Sequence, residues 1–376
     1  GPAARRHIES HGLGPNAVRV VAGAAGGPKG LILSHLDRHI FGQWLPQSSQ
    51  TVHLLGASIG AWRMATGMLD DSVAKFATLA HDYIHQSYDV PPGKTYPTAQ
   101  EVSRVFAQEL AGFFAGRIGG LVQHPRYRLH IVVSRGRHVL GREGRVRTPL
   151  GYLGAALSNA VSRQGLSLWL ERVLFSAPGE PLPIDLSDLR HRRVVLDTAN
   201  FEPALLASCS IPFVLQAVHD IAGAPPGAYW DGGITDYHLH WNYPSMGEGL
   251  VLYPHFQQAI VPGWLDKPLR HRHRATPALD NVLVLAPDPA WVASLPNGKL
   301  PDRTDFKRYG TDTRSTRQGL ASRRGRERAP GGRVGRMAGR RCAGCGVAPA
   351  IAFHTRGAAS ARTLHHIVKR EDTRWA

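Results

Sequence analysis

The stretch 51–60, Thr-Val-His-Leu-Leu-Gly-Ala-Ser-Ile-Gly, leaves the chain few ways to fold. Its apolar run reads as a buried strand, and a helix is expected to start at Ile59 with no linker between them. Ser58 stands at the turn, with Gly56 two residues before it and Gly60 two after, the G-x-S-x-G spacing of a nucleophile elbow. Side chains at the two flanking positions would collide as strand and helix close on one another. A serine at the tip of such a turn projects its hydroxyl beyond the sheet edge. The first N–H groups of the helix then favour negative charge developing beside it. Taken alone, the same five residues also fit a plain strand–turn–helix junction.

Residues 17–22 predict a first strand, and 23–30, Gly-Ala-Ala-Gly-Gly-Pro-Lys-Gly, a glycine-rich loop. Leu31, Ile32, Leu36, Ile40 and Phe41 follow at helical spacing until Pro46. Strand, helix and strand of this length make a right-handed crossover between parallel strands. The glycine loop and Ser58 then emerge at the same carboxyl edge, where open α/β sheets bind ligands. Further helices are expected over 72–88 and 98–121, the second with Val102, Phe106, Leu110, Phe113 and Phe114 on one core-packing face. Residues 127–133, 194–197, 250–253 and 281–285 read as strands, and 201–208 as a short helix. The segment 152–175 reads as mostly helical and apolar enough to line an acyl-chain groove. Strands that alternate with helices predict an α/β fold with a mainly parallel sheet.

The charge is unevenly spread. The formal net charge is +17, but from Arg314 onward fourteen Arg and one Lys face only Glu327, Glu371 and Asp372. That segment holds a net of +12, which leaves +5 for the first 313 residues. Nucleic acid is therefore not expected as a native partner of the body of the chain. Hydrophobic residues are 43% of the whole chain, enough for a substantial core in a domain over 1–313, while 314–376 is an Arg/Gly/Ala-rich tail that reads as disordered. The abrupt change suggests a GC-rich gene read out of frame; a genuine basic tail for polyanions or membrane is the competing view. No apolar run reaches the roughly eighteen residues of a membrane span, and no signal pattern opens the sequence. A cytoplasmic protein is expected, with peripheral contact to an anionic membrane as a possibility. Cys209, Cys342 and Cys345 suggest no disulfide framework. Cys342 and Cys345, with His354, His365 and His366, are spaced wrongly for a zinc finger, so no metal site is expected.

A third block, Asp231-Gly232-Gly233, would alone be a tight turn. Together with the glycine loop, the elbow and the segment 207–213, Ala-Ser-Cys-Ser-Ile-Pro-Phe, it resembles the patatin-like phospholipase family over about 18–234. The resemblance implies a three-layer α/β/α domain and a serine acyl hydrolase acting on lipid acyl esters, with no metal or organic cofactor. Ser58 would be the nucleophile and Asp231 its base, without a histidine. Gly26 and Gly27 would offer backbone N–H groups to the oxyanion in a loop closed by Lys29 and Gly30. Lys29 would add positive potential or fix the loop, and Pro28 has no N–H to donate. Ala25 stands where the family's loop has its first glycine. The loop lacks the G-x-x-x-x-G-K-[ST] spacing of nucleotide binders.

Two other readings stay open. There are 20 histidines, and His53, His219, His238 and His240 lie near the blocks in sequence. A Ser…Asp…His order would make a conventional triad esterase or thioesterase. The arginine-rich tail could instead mark a protein that binds nucleic acid or an anionic surface.

Overall fold

A computed structural model of the chain describes residues 1–94 and 96–302. Its described residues fall into two units, Gly1–Ala286 and a second that begins at Pro287. The first contains the whole sheet. Its opening helix, Pro2–His11 (α1), is followed by Val18–Gly23 (β1) and Val52–Ala57 (β2), which pair in parallel with Val20 opposite His53. Every residue of β2 is buried, so helices cover both of its faces and the strand shows no polar alternation. The helical run expected over 31–41 is a succession of three geometries. A 3-10 segment at Gly27–Leu33 leads into an α-helix at Ser34–His39 (α2) and a π-turn at Ile40–Trp44.

Ile59–Thr66 (α3) leaves the end of β2, and Ser72–His85 (α4) follows. The helix expected over 98–121 ends early. Ala99–Phe114 (α5) stops before Gly116, whose φ of 73° breaks the helix, and a short helix resumes at Ile118–Val122 (α6). Trp62 of α3 packs edge-on against Phe106 and Phe113 of α5, at 5.0 and 5.7 Å between ring centres.

Tyr127–Gly136 (β3) continues the parallel order beside β2. The segment expected to be mostly helical over 152–175 is helical only in its first part. Arg147–Val161 (α7) and a 3-10 turn give way to Leu170–Ser176 (β4), antiparallel to β3. Glu171 and Arg172 lie inside this strand almost fully buried, and two charged residues interrupt the apolar run that marks a buried strand in sequence. Each is neutralised in place: Arg172 binds Asp188 and Asp236, and Glu171 binds Arg135. The edge strand His191–Val195 (β5) begins earlier than the expected 194–197, since its first three residues, His191, Arg192 and Arg193, are exposed and carry no apolar signal.

Phe201–Cys209 (α8) precedes Val218–His219 (β6), Ala228–Asp231 (β7) and Gly233–Asp236 (α9). Leu250–Pro254 (β8) and Val282–Leu285 (β9) complete the sheet, with order β5-β4-β3-β2-β1-β8-β9. It is mostly parallel and flanked by helices, a three-layer α/β/α arrangement. β7 pairs antiparallel with Val133–Arg135 of β3, directly beyond the point where β2 ends opposite Val132. β2 and β7 thus share one slot beside β3 and run head-on into each other.

In the second unit Asp288 caps Pro289–Ala293 (α10), its carboxylate accepting the N–H groups of Ala290 and Trp291. The boundary expected near Thr313, the arginine-rich tail, Cys342, Cys345 and the histidines beyond them lie outside the described residues.

Candidate active site

Ser58 sits between β2 and α3 with φ 56° and ψ −132°, a combination that non-glycine residues adopt only where the surroundings enforce it. The glycine spacing follows from contact. A Cβ on Gly56 would fall 2.3 Å from the Cα of Ala61, and one on Gly60 would fall 1.9 Å from the carbonyl oxygen of Gly23. The second contact also seats the elbow against the end of β1, where the glycine loop begins. The Ser58 carbonyl accepts the N–H groups of Ala61 and Trp62. One turn on, Arg63 makes a bidentate pair with Asp37 of α2, at 2.6 and 2.7 Å, with both side chains buried. That pair ties the helix after the glycine loop to the helix after the serine. Nothing in the sequence marks it.

The Ser58 hydroxyl donates to Oδ2 of Asp231 at 2.7 Å across 173 residues of sequence. Oδ1 of the same carboxylate accepts the Gly233 N–H, also at 2.7 Å. Ser58 is 5% exposed and Asp231 6%, so the bond is shielded from bulk water. The glycines after Asp231 are again places of close approach: a Cβ on Gly232 would lie 2.0 Å from the Val132 carbonyl oxygen, and one on Gly233 2.6 Å from Cβ of Ala25.

The block 207–213 holds both partners. The backbone N–H of Ser58 donates to Oγ of Ser208 at 2.9 Å, and that hydroxyl donates to the Val132 carbonyl at 2.7 Å. The Ser208 and Ser210 carbonyls accept the N–H groups of Gly232 and Asp231. The sequence placed this block near the aspartate, but carried no sign that Ser208 grips the serine backbone.

In the loop, the Ala25 N–H is taken by the Tyr237 carbonyl at 3.0 Å. The N–H groups of Gly26 and Gly27 carry no hydrogen bond among the described residues, so they can donate to an incoming oxyanion. Gly27 has φ 55°, the left-handed region that favours glycine. Gly26 lies against the Phe256 ring, and Lys29 holds its ammonium over that ring, 5.7 Å from the centre. A Cβ on Gly30 would approach the Ile59 side chain to 3.1 Å, so the loop rests on the start of α3. Ala25, which stands before Gly26 in the loop, is buried against Gly233.

The hydrogen bonds that run from Ser58 through Asp231 to Gly233 include no histidine among the described residues. His238 accepts the Val261 N–H through Nδ1 and stacks on Tyr237. Burial, then the neighbouring His255, Lys267 and Lys29, holds its imidazole well below the ordinary range. His240 pairs with Thr276, His53 pairs with His130 behind the sheet edge that bears Ser58, and His219 is exposed on β6. Sequence reasoning missed the buried ion pair of Asp236 with Arg172. Burial alone would raise the Asp236 carboxyl, but Arg172, Arg163 and Trp241 hold it below the usual carboxylate range. It also missed Tyr152, whose buried hydroxyl has no partner among the described residues and whose ionisation is suppressed by burial and by the Asp231 charge. No group of three or more potential metal ligands converges among the described residues. No protein-family model matches the chain, and no curated protein matches it.

Proposed function

We propose that this protein is a serine acyl hydrolase that cleaves lipid acyl esters through Ser58 and Asp231. One observation carries the reading: a serine in a strained elbow, its hydroxyl 2.7 Å from a buried carboxylate. In the mechanism that follows, Asp231 accepts the Ser58 proton as Oγ attacks the ester carbonyl carbon. The Gly26 and Gly27 N–H groups receive the charge that develops on the carbonyl oxygen. The tetrahedral adduct collapses, its C–O bond to the alcohol breaks, and protonated Asp231 returns the proton to the departing oxygen. Water then enters, loses a proton to Asp231 and releases the acid from Ser58 by the same steps in reverse. The bond from Gly233 holds Oδ1, and Oδ2 accepts the serine hydroxyl. A lipid acyl chain is the substrate class favoured by the resemblance to patatin-like enzymes, and by Tyr152, Phe213 and Trp230, which join in edge-on ring contacts next to Asp231.

The test is reaction with a fluorophosphonate probe followed by peptide mapping. Labelling at Ser58, abolished in Ser58→Ala, is expected. Absence of labelling in the folded wild-type protein, or labelling at another residue, would sink the reading.

A further inference from the structure

α7 is built the wrong way round for a helix that packs on one side and faces water on the other. Thr148, Gly151, Tyr152, Ala155 and Asn159 point into the fold. The outward face carries Val146, Leu150, Leu153, Leu157 and Val161, which are 57–89% exposed. Steps of four, three, four and four residues keep these five within an arc of about 80° at ~100° per residue, over a length of roughly 22 Å. Leu168, on the 3-10 turn that follows, adds another exposed apolar side chain. A contiguous apolar stripe of this kind marks an interaction surface.

The charge beside the stripe says what covers it. Arg142, Arg145 and Arg147 are all exposed at or just before the first turn of α7. That turn holds no acidic residue, so three cations sit at the positive end of the helix dipole, where the helix itself disfavours them. Glu143 is the one acid among them, and its carboxylate is occupied by the Ala217 N–H. Arg142 and Arg145 form no ion pair among the described residues. An apolar stripe with a basic end fits a bilayer whose headgroups are anionic and whose acyl boundary admits leucine. The stripe also lies near the site. Tyr152, on the inner face of α7, contacts Phe213 at 5.9 Å and Trp230, the residue before Asp231, at 6.1 Å. Phe213 is itself 59% exposed, next to Val214.

We propose that the outward face of α7 docks the protein on an anionic phospholipid surface and so presents the Ser58 site to its substrate. This rests on the acyl-hydrolase reading for its purpose, but the binding itself does not require catalysis.

The experiment uses the full chain in a Ser58→Ala background. It is sedimented with vesicles of phosphatidylcholine alone, and of equal parts phosphatidylcholine and phosphatidylserine. Two face variants are compared, Leu150→Ser/Leu153→Ser/Leu157→Ser and Arg142→Glu/Arg145→Glu. All proteins share the arginine-rich segment beyond Asp302, so the difference between them reports on α7 alone. The expected result is binding to the mixed vesicles, weakened by salt and about tenfold or more poorer in each variant. With Ser58 restored, both variants should keep wild-type turnover of a water-soluble short-chain ester, which also shows that they fold. Equal binding by wild type and the leucine variant would overturn the proposal, as would no binding by wild type. A wild-type dimer that the leucine variant converts to monomer, with vesicle binding unchanged, would assign the face to a second copy instead. Face-dependent binding without any Ser58-dependent hydrolysis would overturn the catalytic reading and leave this one standing.

Discussion

Ala57 and Asp231 stand opposite consecutive residues of β3, Val132 and Val133. Two strands that are remote in sequence thereby meet end to end in one slot of the sheet, and the residue after Ala57 is Ser58. The short bond between Ser58 and Asp231 is a consequence of register, not of a flexible side chain reaching across a cleft. Val132 also takes the Ser208 hydroxyl on its carbonyl, and that carbonyl is what a side chain on Gly232 would strike. One peptide group of β3 therefore gauges the position of nucleophile, base and clamp.

This geometry separates a dyad from a triad by experiment. Asp231→Asn is expected to keep the fold and cut ester turnover about a thousandfold or more, whereas His240→Ala and His219→Ala should each stay within about threefold of wild type. The measurement is kcat/KM on a soluble acyl ester, with circular dichroism to confirm folding. A histidine variant as damaged as Asp231→Asn would replace the dyad with a triad.

How much of this was legible in the sequence depends on whether a feature is local. The elbow, the glycine loop and the parallel β1–β2 unit were readable, because apolar periodicity and glycine spacing record short-range contacts. β4 was not, since Glu171 and Arg172 break the apolar signature of a buried strand. Their compensation comes from Arg135, Asp188 and Asp236, far off in sequence or on other elements. The end of α5 turned on one glycine conformation at Gly116. Ser208 and the Asp37–Arg63 pair act only through folded distances, so ordinary-looking serine, aspartate and arginine residues gave no signal.

The close contact at Gly60 gives a sharper test of the elbow than the pattern itself. Gly60→Ala would put a methyl carbon 1.9 Å from a backbone oxygen, with no side chain to move aside. We expect a loss of stability of about 1–3 kcal/mol, the usual cost of overpacking, together with near-complete loss of turnover. Thermal melting and esterase assay below the midpoint check both. A Gly60→Ala variant as stable and active as wild type would mean that β1 and α3 do not approach as described.

Stability should fall on mild acidification through His53. Burial pushes this imidazole down to about 4, against an ordinary value near 6.5, and its Nδ1 is occupied by His130. Between those two values the unfolded chain binds a proton that the folded chain refuses, so folding weakens as pH drops from about 6.5 toward 4. At pH 5 the loss from this group is on the order of 2 kcal/mol relative to pH 7. Urea midpoints at pH 7 and pH 5 should therefore differ more in wild type than in His53→Gln, where the titrating group is gone. An equal pH response in the two proteins would exclude His53 as its source.

Ser208 is expected to act as a positioning residue. Its hydroxyl satisfies two buried backbone groups at once, the Ser58 N–H and the Val132 carbonyl. Ser58 is held at φ 56°, a conformation that costs about 1–3 kcal/mol and persists only while its surroundings oppose relaxation. In Ser208→Ala both backbone groups lose their partner, at about 1–3 kcal/mol each, and the elbow gains a route to relax. The stability loss alone would not distinguish a clamp from an ordinary buried serine. The distinguishing readout is turnover by the protein that remains folded. A clamp predicts kcat reduced by about ten- to a hundredfold with KM little changed, and fluorophosphonate labelling of Ser58 slowed in parallel. Ser208→Thr, which keeps the hydroxyl, should recover much of that loss even if its extra methyl lowers the melting temperature. Should Ser208→Ala melt earlier yet turn over at the wild-type rate per folded molecule, Ser208 would be structural only, and the orientation of Ser58 would rest on its register with β3 and the contacts of Gly56 and Gly60.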